Sequence, residues 1–154
     1  MRFLLGAAAT SIFHWLLGEW TFLREIPGYA SVRGQARIAL SADDTARYEE
    51  TALVTLVHGG TLRATQCYRF LRLPAPINGI EVRFCATNEL FERLEFHLLA
   101  DGILEARARF LCAADTYDSL FAIDRERHLH VEHVVQGPRK NYRVETTYTR
   151  TAEP

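Results

Sequence analysis

Ala30-Ser31-Val32-Arg33-Gly34-Gln35-Ala36-Arg37-Ile38-Ala39-Leu40 is the stretch that decides the fold class. Ala30, Val32, Gly34, Ala36, Ile38 and Leu40 alternate with Ser31, Arg33, Gln35, Arg37 and Ala39, a period of two that belongs to a strand with one wet face. The same period runs through the chain after residue 18. It is punctuated by Pro27-Gly28, Ser41-Ala42-Asp43-Asp44, Gly59-Gly60, Pro74 to Gly79, Thr87-Asn88, Asp101-Gly102, Asp124-Arg125-Glu126 and Gly137-Pro138, each able to reverse the chain. About ten strands result, near 19–26, 30–40, 46–58, 61–73, 80–86, 90–99, 103–112, 115–123, 128–136 and 141–150. One short helix precedes them, with Ser11 as N-cap and Ile12, Phe13, Trp15, Leu16 and Leu17 as its apolar side.

No helical segment separates the strands, so consecutive strands pair antiparallel as a meander. A meander of this length exposes two edges unless it closes. The expected fold is therefore all-β: a closed antiparallel up-and-down barrel of about 8–10 strands, wide enough to hold one small ligand. Residues 1–154 form a single domain, with 1–17 as helix and apolar lid and 18–150 as barrel.

The chain has 154 residues, 48% of them hydrophobic, which suffices for a full core. With 18 Lys+Arg against 19 Asp+Glu it lacks the cationic excess that nucleic acid requires. No stretch reaches the ~20 apolar residues of a membrane span. The start Met1-Arg2-Phe3-Leu4-Leu5-Gly6-Ala7-Ala8-Ala9 imitates a signal peptide, but its apolar run is short and Met1 is retained, so a cytoplasmic protein is expected. Cys67, Cys85 and Cys112, odd in number and without C-x-x-C spacing, read as reduced and mostly buried thiols. The partner expected is a small-molecule ligand or substrate, with no nucleic acid; a homodimer is compatible with such a domain.

The apolar face of each strand marks the interior. It carries Trp20, Phe22, Arg24 and Ile26; Tyr48, Glu50, Ala52, Val54 and Leu56; Leu62, Ala64, Gln66, Tyr68 and Phe70. Val82 and Phe84, then Ala106, Ala108, Phe110 and Cys112, then Asp115, Tyr117, Ser119, Phe121 and Ile123 follow. The last two strands add Leu129, Val131, His133 and Val135, then Tyr142, Val144, Thr146, Tyr148 and Arg150. The strand at 90–99 is ambiguous, since Glu92 shares a face with Leu90, Leu94, Phe96 and Leu98. Five of the six tyrosines, all but Tyr29, thus point inward beside Glu50, Gln66, His133 and two arginines. Buried polar groups cost free energy unless partnered, so this inventory suits a polar-lined ligand cavity better than a packed core.

Gly18-x-Trp20, where a helix enters the first strand, together with Arg150 on the last, resembles the calycin superfamily of lipocalins and fatty-acid-binding proteins. The wider pattern is similar to a family of small lipocalin-like domains of no settled activity. It comprises Leu17-Gly18-x-Trp20-x-x-x-Arg24, Tyr48-x-Glu50, Tyr68-x-Phe70, Cys112-x-x-Asp115-x-Tyr117, and Gly137-Pro138-Arg139-Lys140-x-Tyr142 followed by Tyr148-x-Arg150. The resemblance implies the barrel, with the first-strand Trp packed beneath a late-strand Arg. Phe110 and Glu92 stand where it would lead one to expect histidine, which argues against a shared metal site.

Two functions fit. The first is binding of a small, largely apolar metabolite, with Arg24, Gln66, Phe70, Phe84, Phe110, Phe121, Tyr142, Tyr148 and Arg150 as ligand contacts. The second is a cofactor-free isomerase, cyclase, dehydratase or decarboxylase in the same cavity; phenolic acid decarboxylases are small calycin barrels that work as enzymes. There Glu50 is the acid or base, Tyr48 and Tyr68 hold a developing anion, and His133 or Asp115 and Tyr117 relay a proton. Glu50 paired with Arg24 is the structural alternative. No metal or cofactor is expected: His128 and His130 fall on the outer face, and no phosphate loop, nucleophile elbow or His-Glu-x-x-His is present.

Overall fold

A computed structural model describes residues 11–152. A short helix, α1 (Ile12–Leu16), is followed by β1 (Gly18–Ile26), β2 (Ala30–Ala42), β3 (Thr45–Leu56), β4 (Thr61–Arg72), β5 (Gly79–Phe84) and β6 (Leu90–Glu95). The chain continues through β7 (His97–Leu98), β8 (Leu104–Cys112), β9 (Asp115–Ile123), β10 (Leu129–Gln136) and β11 (Asn141–Ala152). They form one antiparallel sheet of order β6-β5-β4-β3-β2-β1-β11-β10-β9-β8-β7, in which the first strand pairs with the last. Phe96 interrupts what the sequence reads as one strand, sending its N–H to the Asn78 carbonyl at 2.8 Å. Beyond it β7 joins β8, while β6 itself makes no ladder with β8. The barrel is nearly closed, with that seam as its gap. No helix among the described residues is long and apolar enough to cross a membrane.

Helix α1 plugs one end. The Ser11 hydroxyl accepts the His14 N–H as the expected cap, and Ile12, Phe13, Trp15 and Leu16 are buried. The Ile12 N–H donates to Asn78 Oδ1 at 2.7 Å, tying the helix to the β4–β5 loop. The Trp20 indole N–H donates to the Leu16 carbonyl at 2.9 Å. Arg150 lies with its guanidinium 4.1 Å from the Trp20 ring centre and 5.1 Å from that of Trp15, donating to the Leu17 carbonyl at 2.7 Å and to the Trp15 carbonyl. A guanidinium stacked on indole gains about 0.5–2 kcal/mol, and here it also caps carbonyls the short helix leaves unpaired. Residues 1–10 of the expected lid lie outside the described residues.

The opposite end carries the β1–β2, β3–β4, β5–β6, β8–β9 and β10–β11 turns. Leu56 and Leu62, expected as inner wall, lie at this rim and are 40% and 46% exposed. Cys112 is also exposed there, not interior. Cys67, in the middle of β4, and Cys85, just past the end of β5, form a disulfide with Cα atoms 5.8 Å apart. The expectation of three reduced thiols is corrected: Tyr68 faces Phe84 in the ladder, so the next pair outward is Cys67 with Cys85.

Candidate functional site: a cavity with two polar centres

The barrel interior holds a cavity of about 370 Å3. Its apolar wall includes Ile38, Phe70, Val82, Phe91, Phe121 and Val131. β5 ends at Phe84, leaving residues 61–67 of β4 unpaired on that side, and Ala64, Thr65 and Gln66 line the cavity along this lip.

The first polar centre joins β1, β3 and β11. Arg24 donates to both carboxylate oxygens of Glu50, from Nη1 at 2.9 Å and Nη2 at 3.0 Å. Its Nε donates to Thr146 Oγ1 at 2.9 Å, and Nη2 also reaches the Tyr148 hydroxyl at 3.3 Å. The Tyr48 hydroxyl donates to Glu50 Oε1 at 2.6 Å and lies 2.9 Å from the Tyr148 hydroxyl. Glu50 is 6% and Arg24 20% exposed. Burial would lower the Arg24 pKa, but the hydrogen bond to Glu50 together with the neighbouring Tyr148, Glu50 and Tyr48 more than offsets it and holds the guanidinium above its ordinary value. Burial, then the neighbouring Tyr148 and Glu50, raises Tyr48; burial likewise raises Tyr148, against the pull of Arg24. The cluster satisfies itself. Glu50 borders the cavity with its oxygens engaged by Arg24 and Tyr48, the Arg24 pairing given above as the structural alternative, here with a cavity beside it.

The second centre was not visible as a unit in the sequence. Between β5 and β6, Val82 faces Glu92 while Arg83 faces Leu90, so Phe91 is an extra residue at a bulge. The bulge lets Phe91 and Glu92 both line the interior, which resolves the ambiguity of this strand. Glu92 is 2% exposed. It accepts from the Ser119 hydroxyl, and its Oε1 lies 3.1 Å from His133 Nε2. His133 borders the cavity, stacked on Phe91 at 6.2 Å and edge-on to Phe121 at 6.1 Å. The imidazole is thus partnered by a buried carboxylate. Tyr68 lies on the other strand pair, stacked on Phe91 at 5.9 Å, and its hydroxyl accepts from Gln66 Nε2 at 3.1 Å. Burial, reinforced by Glu92, Tyr148 and Glu50, pushes the Tyr68 phenol up to about 12.

Of the expected ligand contacts, Arg24, Gln66, Phe70, Phe121 and Tyr148 line the cavity. Phe84 and Phe110 do not; they pack with Phe91 and Tyr117 toward the open rim. Tyr142 lies outside as well, against Tyr29 at 6.3 Å, and Arg150 belongs to the plugged end. The Asp115 and Tyr117 relay is also corrected, because both are held at the open rim by Lys140, 3.3 Å from Asp115 and 3.0 Å from the Tyr117 hydroxyl. A Cβ at Gly137 would collide with the Asp115 carboxylate, so the Gly-Pro-Arg-Lys turn is shaped around that clasp. At the plugged end, Asp124 accepts from the backbone of Glu126 and His128 and lies 2.8 Å from His130 Nε2, with His128 Nδ1 3.4 Å away. This is the one group of metal-ligand type among the described residues, and it is remote from the cavity.

A nearly closed β-barrel with a lined internal cavity is the class that the fold and site define. Residues 16–150 match the model of a family of unknown function, DUF6314, and the chain belongs to that family. No curated protein sequence matches it. Among solved structures the S-type phycobiliprotein lyase CPES from Guillardia theta is similar over 99% of both chains, with a TM-score of 0.62 and 9% identity, which shows a shared fold. A redesigned β-barrel, mFAP1, bound to DFHBI gives a TM-score of 0.43 with 11% identity, covering 89% of this chain and 96% of that one.

Proposed function

We propose that the protein binds a small, largely apolar molecule with a polar end inside the barrel. The observation that carries this reading is a cavity of about 370 Å3, within the size range of small-ligand sites, whose wall is apolar except where a few polar groups converge. Arg24, Glu50, Tyr48 and Tyr148 are occupied with one another, so the ligand's polar end meets the side that has capacity left: Tyr68, whose hydroxyl accepts from Gln66 and keeps its proton to donate, and His133. The stack of Arg150 on Trp20 supports a calycin-like reading of the barrel.

The test is fluorescence titration with 1-aminoanthracene, a neutral apolar probe that brightens when shielded from water. Saturable one-to-one binding is expected, lost in Val131→Trp, which fills the cavity from within, while the circular dichroism spectrum stays β-type. Binding unchanged by that substitution would place the probe elsewhere and overturn the reading.

A further inference from the structure

Binding alone leaves Glu92 unexplained. A barrel needing only an apolar wall would carry Leu at that position, because a carboxylate withdrawn from water costs several kcal/mol unless it is well partnered. Among the described residues no Arg or Lys is a hydrogen-bond or ion-pair partner of it; its partners there are the Ser119 hydroxyl and His133 Nε2. What Glu92 accomplishes is to orient an imidazole. With Nε2–H donating to the carboxylate, and the ring held by Phe91 on its face and Phe121 at its edge, Nδ1 keeps the lone pair. Nδ1 has no hydrogen-bond partner among the described residues, and His133 borders the cavity. This is the wiring of an oriented general base, in which a buried carboxylate fixes tautomer and ring while the far nitrogen meets the substrate. Phe91 stacks on Tyr68 at 14° and on His133 at 26°, so a base and a phenol border the same stretch of cavity wall.

Resting on the binding function above, we infer that the cavity catalyses cofactor-free proton transfer on a small, flat, enolisable ketone, with His133 as the base, Tyr68 as donor to the carbonyl oxygen and Glu92 as the positioning residue. His133 Nδ1 takes the proton from the carbon next to the carbonyl. The C–H electron pair becomes the enolate C=C bond, and the carbonyl π pair moves onto oxygen, where the Tyr68 O–H holds it. The imidazolium then returns the proton, to the same carbon in simple exchange or to the γ carbon of a β,γ-unsaturated ketone in isomerisation. No electrons are gained or lost and no second reactant is consumed.

The experiment uses the full chain in deuterium oxide with 2-tetralone, a bicyclic ketone with acidic α protons. NMR follows both the loss of the α-proton signals and probe binding. Wild type should bind the probe and exchange its α protons well above the buffer rate. His133→Gln should lower the protein-dependent rate at saturating probe by about 100-fold, a loss that weaker binding cannot account for. In His133→Gly, added imidazole should restore exchange, which a merely structural histidine would not show. Glu92→Gln should lower the rate at saturating probe and leave half-saturation unchanged; should that variant fail to fold, the His133 variants still decide. Binding without exchange, or exchange unaltered in His133→Gln, overturns the proton-transfer inference and leaves the binding function standing. Failure of 2-tetralone to bind wild type overturns both for ring ketones.

Discussion

Glu50 and Glu92 are both carboxylates buried in one barrel, and their surroundings give them different work. Glu50 receives a bidentate guanidinium and a tyrosine hydroxyl, so its charge is neutralised and its oxygens are engaged. Glu92 has a histidine and a serine, and among the described residues the second nitrogen of that histidine has no hydrogen-bond partner. A self-satisfied network joins strands and makes a barrel rigid; one whose histidine borders a cavity is placed to meet a ligand.

The largest effect should come from the same substitution made at the first centre. Glu50→Gln leaves Arg24 charged and mostly buried without a counter-ion, so unfolding free energy from denaturant titration should fall by about 3–5 kcal/mol. Combined with Arg24→Met, the loss should be clearly smaller than the two single losses added. Arg150→Ala is a second framework test: it removes the stack on Trp20 and the cap on the Leu17 carbonyl, and about 2–4 kcal/mol should be lost with the cavity's ligand preference intact.

Alkaline pH separates the tyrosines. The pKa of Tyr68 stands near 12 against an ordinary 10.0, so above pH 10 the unfolded chain releases a proton that the folded chain keeps. Stability should therefore be undiminished by this group below pH 10 and fall between 10 and 12, by at most about 1.4 kcal/mol per pH unit for one such group. Tyr48 and Tyr148, also raised, add to the loss, and Tyr68→Phe should remove only its own share. The part of the tyrosinate absorbance that Tyr68→Phe removes should appear together with unfolding; its appearance well before unfolding would contradict the buried assignment. The smallest effect is Glu92→Gln, expected within about 1 kcal/mol of wild type, because the amide oxygen still accepts from His133 or Ser119 while a buried charge disappears. If the Glu50 and Glu92 substitutions cost the same, the distinction between framework and site fails.

Much of the barrel was legible because its signals are local. Alternation along each strand and the turn residues between them located ten strands and the inward faces of β1, β3 and β4 up to the rim. Trp20 with Arg150 was legible through the resemblance. The bulge at Phe91 was not, since one inserted residue turns a run of alternating Leu and Phe into a strand with two neighbours facing in. The Glu92 and His133 pair was hidden for a different reason: β6 and β10 are not adjacent, and pairs that meet across a barrel leave no periodic trace. The disulfide had a usable signal, because the hairpin register that sets Tyr68 opposite Phe84 also sets Cys67 opposite Cys85. Asp115 and Tyr117 have the right parity for the interior but sit too near the strand end, so parity assigned a face and could not assign a depth.

Native mass spectrometry of the protein isolated from its own host tests the central claim most directly. The spectrum should show a non-covalent adduct of one small molecule per chain, of a size that fits about 370 Å3, released on denaturation and absent from Val131→Trp. Protein that carries no molecule, and takes up none from an extract of its host, would contradict it.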